Sequence, residues 1–173
     1  MNLGSRIMVM GSSGSGKSTM AQRLGELTGL PVTHLDTLSW RPGWVEAPKD
    51  EFERELRAVI AQPEWVIDGN YQKWALNERL ERADTVIFLD FNRYTCLYRA
   101  FKRRVMFHGK SRPDMTEGCK ERITWWLVKW IWGYPRRTRG KTLAWLAGIA
   151  PPKQVFHLKG SRAVRRFLEK FEL

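Results

Sequence analysis

Residues 11–19 read Gly-Ser-Ser-Gly-Ser-Gly-Lys-Ser-Thr and fill every fixed position of the phosphate-binding pattern G-x-x-x-x-G-K-[ST]. Gly11, Gly14 and Gly16 tolerate the dihedrals that turn backbone N–H groups inward, with Ser12, Ser13 and Ser15 between them. A helix beginning at Lys17 aims the positive end of its dipole at the same point. Lys17 is expected to reach the β- and γ-phosphates, the Ser18 hydroxyl to ligate Mg²⁺, and Thr19 to complete the motif. The pattern predicts a site for a nucleoside triphosphate.

Four further groups of residues could act with it. Asp68-Gly69-Asn70 follows an apolar run at 65–68, so Asp68 is the favoured magnesium carboxylate, with Gly69 and Asn70 leaving room for a substrate. Asp90 is the rival carboxylate, ranked lower because Asn92 follows it as a helix cap. Asp36 could accept a proton from an acceptor hydroxyl or hold a sugar, or could simply cap a turn. Arg41 could pair with an anionic acceptor beside Trp40 and Trp44. His34 reads as a structural strand residue. Arg99, Arg103, Arg104 and Arg112 are candidate clamps for a phosphoryl group in transit, with Arg112 in a hinge-like loop at 108–116 suited to a lid.

These residues need a scaffold, and the apolar pattern supplies one. Strands are expected at 6–10, 32–35, 65–68, 85–89 and 154–158. Helices are expected near 17–28, 50–61, 72–81, 93–106, 117–133, 139–147 and 162–171. The alternation predicts an α/β fold with a parallel sheet covered on both faces, and ligands at the carboxyl ends of its strands. In the helix at 93–106, Tyr94, Leu97, Tyr98, Phe101 and Val105 form one apolar stripe.

Composition bounds the rest. The 173 residues suit one domain with a lid-like insertion. No apolar run approaches a membrane span, so no membrane partner is expected. Two cysteines without metal or disulfide spacing and an N-terminus that meets the first strand at once lead to the expectation of a cytoplasmic protein. Residues 99–141 carry 13 Lys/Arg against 3 Asp/Glu, which holds most of the net charge of +12. Such concentration beside a phosphate loop fits a local clamp, with nucleic acid as the less favoured partner. Trp125, Trp126, Trp130 and Trp132 fit packing better than base stacking.

The chain resembles the P-loop kinases of the adenylate-kinase-like group, and more closely the bacterial proteins labelled DNA topology modulation proteins. The phosphate loop, His34-Leu35-Asp36, Trp40-Arg41-Pro42-Gly43-Trp44, Val66-Ile67-Asp68-Gly69-Asn70-Tyr71, Arg103-Arg104 and Arg112-Pro113-Asp114-Met115 carry the likeness. It implies a five-stranded parallel sheet of order 2-3-1-4-5, Mg-ATP as donor, a lid bearing arginines, and a small nucleotide-like phosphate acceptor. Two features depart from nucleoside monophosphate kinases: Asn70 and Tyr71 replace their aromatic, proline and arginine, and Asp36 has no counterpart. The Asp36 placement is closer to shikimate- or uridine-kinase-like enzymes, in which it would serve as base. The topology label would imply an effect on DNA, and no DNA-binding module is visible.

Overall fold

The computed structural model describes residues 3–171. Its centre is the strand β1 (Arg6–Gly11), whose side chains alternate between two cores. Ile7 and Val9 pack with Met20, Leu24, Val66, Ile87 and Cys96 on one face. Met8 and Met10 pack with Leu56, Ile67, Phe88 and Tyr134 on the other. A strand with period-two side chains and apolar residues at every position must be covered twice.

Five strands form that sheet: β1, β2 (Val32–His34), β5 (Trp65–Asp68), β6 (Thr85–Asp90) and β7 (Gln154–Lys159), all pairing parallel. Their order is β2-β5-β1-β6-β7, which is 2-3-1-4-5 when the sheet strands are counted along the chain, as expected. Register sets His34 beside Asp68, Asp68 beside Val9, and Gly11 beside Leu89. The strand ends that were expected to bind ligand therefore lie at one edge. Helices α1 (Lys17–Thr28), α3 (Lys49–Ala61), α4 (Leu76–Arg82), α5 (Arg93–Met106), α6 (Trp125–Tyr134), α7 (Gly140–Ala147) and α8 (Gly160–Glu169) surround the sheet. A short helix, α2 (Leu35–Ser39), and a hairpin of β3 (Trp40–Arg41) and β4 (Val45–Glu46) fill the stretch expected to be a loop.

Four elements differ from the expectation. The helix placed at 72–81 begins only at Leu76, because Tyr71 and Ala75 adopt φ of 30° and 45° and hold the preceding chain outside helical space. The tryptophan helix begins at Trp125 instead of 117, because the Thr124 side chain caps it by accepting from Leu127 N at 3.1 Å. Residues 117–124 instead extend the loop, which closes on itself through bridges His108–Glu121 and Ser111–Lys120. At Pro135 the chain passes through a π-helical turn, Pro135–Arg139, since proline has no N–H to continue the α ladder.

The fourth difference concerns which face of α5 is buried. Tyr94, Tyr98, Phe101 and Val105 face solvent, from 51% to 77% exposed, while Cys96 and Ala100 are buried. Small residues inward let this helix press against the phosphate loop. A Cβ built on Gly14 would lie 2.2 Å from the Cys96 carbonyl oxygen, and Gly14 has φ 78°. Only glycine fits there.

Candidate active site

The loop of residues 11–19 leaves the end of β1 and enters α1 at Lys17, with Gly16 as a left-handed cap at φ 94°. No acidic residue of α1 occupies its first turn, so the helix itself places no negative charge at its positive dipole end. The loop is fixed from two sides. Asn70 bonds the Gly11 backbone in both directions, accepting from its N–H at 3.1 Å and donating to its C=O at 2.7 Å. Arg99 donates to Ser15 O at 3.0 Å and to the Ser161 hydroxyl at 3.1 Å. Lys17 Nζ donates to Ser12 O at 3.2 Å, over the cradle.

These groups open into a cavity of about 1220 Å³. That exceeds the ~300–1,000 Å³ of a site for one small ligand. Loop residues 13–19, Asp36, Asp68, Gly69, Asn70, Arg99, Arg103 and Arg112 all line it. Gly11 and Ser12 support the loop from behind. Two more expected site residues, Arg41 and Arg104, also stand outside the lining. The Arg41 guanidinium is held by Glu51 at 2.8 Å and Glu55 at 3.0 Å on α3. Those two carboxylates, one helical turn apart, neutralise it, so it does not face an anionic acceptor. Arg104 pairs with His108 one turn along and points away from the cavity.

Asp68 is buried, and His34 Nδ1 lies 2.9 Å from its Oδ2. Its Oδ1 is buried and finds no hydrogen-bond partner among the described residues. Asp68 and Ser18 both line the cavity, and a carboxylate with a hydroxyl is a donor set of hard oxygens, which suits Mg²⁺. His34, expected to be structural, thus orients that carboxylate. Asp90, the rival, is clamped by Arg139 through two bonds of 2.8 Å and by His157 at 2.7 Å. Burial alone would raise its carboxyl, but Arg139 and His157 outweigh that and hold it low.

Across the cavity, Asp36 accepts a hydrogen bond from the Tyr71 hydroxyl at 2.8 Å. Burial, reinforced by Asp36, pushes the Tyr71 phenol well above its usual range and keeps it a donor. Tyr71 stacks obliquely on Phe52 with ring centroids 5.1 Å apart. Its loop hangs on Arg79, fully buried, whose guanidinium donates to the carbonyls of Gly69, Asn70, Tyr71 and Trp74 at 2.9 to 3.2 Å.

The lid lies over this floor. Arg112 reaches Asp114 at 2.8 Å and Glu121 at 2.6 Å, and Glu121 also holds Arg103 of α5 at 3.2 Å. Burial lowers the Arg103 pKa and neighbouring Arg112 lowers it further, against the opposing pull of Glu121. Burial would raise the Asp114 carboxyl, but Arg112 and, after it, the Ser18 hydroxyl outweigh that and hold it low. The far side of the lid grips the acceptor-side hairpin. Thr116 donates to Trp40 O at 2.7 Å, Gly43 N to Gly118 O at 3.3 Å, and Trp44 Nε1 to Lys120 O at 2.8 Å. The irregular segment between α5 and α6 runs from 107 to 124 and contains the stretch 108–116 expected to be a loop.

Sequence reasoning missed Glu121, Asp114, Tyr71 and Arg79. Glu121 and Asp114 did carry a signal, as two of only three acidic residues in the basic segment. Arg79 carried none.

No family model matches the chain, and no curated protein matches it in sequence. Solved structures do match in fold. A shikimate kinase from Acinetobacter baumannii, in complex with shikimate, superposes with a TM-score of 0.60 at 16% identity, over 96% of this chain and 90% of its own. A sugar kinase from a Janibacter species gives 0.47 at 18% identity, over 96% and 93%. The chain has the α/β fold of the P-loop kinases.

Proposed function

We propose that this protein is a P-loop kinase that moves the γ-phosphoryl group of Mg-ATP to a hydroxyl of a small acceptor. One observation carries the reading. The complete phosphate loop, the buried carboxylate of Asp68, Arg103 of α5 and Arg112 of the lid share a cavity with Asp36, in a fold similar to a shikimate kinase.

In this reading the loop amides and Lys17 bind the β- and γ-phosphates. Ser18 and Asp68 hold magnesium, which would neutralise phosphate charge. Arg103 and Arg112 meet the charge that develops on the equatorial oxygens of the phosphoryl group. Asp36, positioned by Tyr71, accepts the acceptor's hydroxyl proton. Lid closure over the hairpin excludes water that would otherwise hydrolyse ATP. Most of the rate then comes from positioning and electrostatics.

The hydroxyl acceptor is favoured over a nucleoside monophosphate by the engagement of Arg41. A phosphate acceptor calls for a free guanidinium on that side, and Arg41 is neutralised by Glu51 and Glu55. A hydroxyl acceptor calls for a carboxylate, which Asp36 supplies. A nucleotide-gated nucleic-acid binder is the reading that a failed assay would promote. The test is ADP release from Mg-ATP against nucleosides, sugars, other hydroxylated metabolites and nucleoside monophosphates, with Lys17→Ala as blank. Lys17-dependent turnover with a hydroxyl compound supports the proposal. Turnover with a monophosphate alone restores the nucleotide acceptor, and a flat panel with salt-sensitive DNA or RNA binding replaces both.

A further inference from the structure

Arg103 and Arg112 come from different elements, one a helix of the scaffold and the other a lid loop. Two guanidiniums brought together in a buried place repel each other, and the loop one has freedom to leave. A single carboxylate stands between them. Glu121, 3% exposed, contacts Arg103 with Oε1 at 3.2 Å and Arg112 with Oε2 at 2.6 Å. Its own backbone is fixed, because Glu121 N donates to Lys110 O at 2.9 Å across the neck of the lid. Arg112 is held at a second point by Asp114 at 2.8 Å, and Asp114 lines the same cavity as Ser18 of the phosphate loop. Contacts therefore run from Arg103 through Glu121 and Arg112 to Asp114 at the phosphate-loop cavity. Two positive and two negative groups balance, so the cluster can stay buried, while Glu121 itself offers nothing to a phosphate.

We infer that Glu121 is a positioning residue: it locks Arg103 and Arg112 side by side over the phosphate loop, so that their remaining N–H donors converge on the phosphoryl group in transit. The inference rests on the phosphotransfer reading. It predicts that the glutamate acts only through the two arginines and matters for the transition state more than for ATP binding.

The test uses Glu121→Gln in the full chain, with MgADP plus aluminium fluoride as a mimic of the phosphoryl group in flight. In the wild type, aluminium fluoride should tighten MgADP binding. In Glu121→Gln that tightening should shrink by at least ~10-fold and kcat fall by roughly 10–100-fold, as expected for misplaced donors, while the Kd of MgATP stays within about threefold. In an Arg103→Ala/Arg112→Ala background the same substitution should change kcat by less than about twofold, since coupled residues are not additive. A Glu121→Gln enzyme with wild-type tightening and kcat overturns the inference, and so does an equal loss in both backgrounds.

Should Glu121→Gln fail to fold, Arg103→Gln/Arg112→Gln/Glu121→Gln removes the carboxylate together with both of its partners. Its kcat should match that of Arg103→Gln/Arg112→Gln, and a further tenfold loss would refute the coupling. A wild type that tightens on MgADP with aluminium fluoride but phosphorylates no acceptor would count against the acceptor reading only. A wild type with no Lys17-dependent binding of MgATP would defeat the phosphotransfer reading and the inference with it.

Discussion

Replacing Arg79 by methionine should loosen the acceptor side of the site and destabilise the fold by an amount the structure lets us work out. Arg79 is fully buried and donates to four carbonyls, of which the bond to Gly69 O is buried and the other three are partly so. Methionine keeps the packing stem and removes every donor. One buried carbonyl left unpaired costs ~1–3 kcal/mol, and three partly wet ones ~0.5–1.5 kcal/mol each, giving roughly 3–7 kcal/mol gross. Part of that returns, because burial lowers the Arg79 pKa to about 10, a sign that holding its charge inside is costly. A net loss of about 2–4 kcal/mol remains after that offset, or ~5–15 °C in Tm for a chain of this size. Two strained residues, Tyr71 and Ala75, would relax once released. Asp36 then loses its fixed Tyr71 partner, and Asn70 its grip on Gly11. Scanning calorimetry with parallel turnover assays gives both numbers. A Tm within about 2 °C of wild type, with full activity, would refute the argument that Arg79 holds this loop.

Four smaller predictions follow from the same geometry. Lys17→Ala should cut transfer by at least ~10²–10³-fold, the scale of one lost preorganised donor, in a coupled ADP-release assay. Asp36→Asn should abolish transfer to a hydroxyl while ATP affinity, read by calorimetric titration, stays unchanged; a raised KM alone would argue against a base. Arg41→Ala loses only part-exposed, solvent-screened ion pairs, so Tm should fall by no more than a few degrees and the acceptor KM should hold within about twofold. Burial would raise the Asp84 and Asp114 carboxyls, but Arg6 and Arg112 outweigh it and hold both below 3.8, as Arg139 holds Asp90. Depressed acids stabilise the fold above their unfolded pKa and lose that contribution as pH falls through the folded one, so Tm should drop as pH goes below about 4. Asp84→Asn should flatten that fall in a Tm-against-pH series.

The scaffold was legible because apolar alternation and strand length decide a doubly covered parallel sheet. Ile7/Val9 against Met8/Met10 already divides the two cores. The phosphate loop and Asp68 were legible because their chemistry demands fixed types at fixed spacing. Periodicity showed that Tyr94, Tyr98, Phe101 and Val105 share a face, but not that Cys96 and Ala100 face inward. That choice depends on how close α5 must come to Gly14, a tertiary fact. Arg41 looked like a ligand-binding arginine because Glu51 and Glu55 are distant in the path of the chain, though one turn apart on α3. Nothing local distinguishes a buried Arg79 from a surface arginine, since its partners are backbone carbonyls and leave no sequence mark. The loop was cut short at 116 because Thr124 was not read as a cap, a signal that was present.

The most direct test is phosphorus NMR of Mg-ATP mixed with the protein and a pool of hydroxylated metabolites and nucleoside monophosphates. The account predicts a new phosphomonoester resonance growing one for one with ADP, and absent with Lys17→Ala. Release of inorganic phosphate alone, or a new phosphoanhydride resonance from a monophosphate acceptor, would contradict transfer to a hydroxyl.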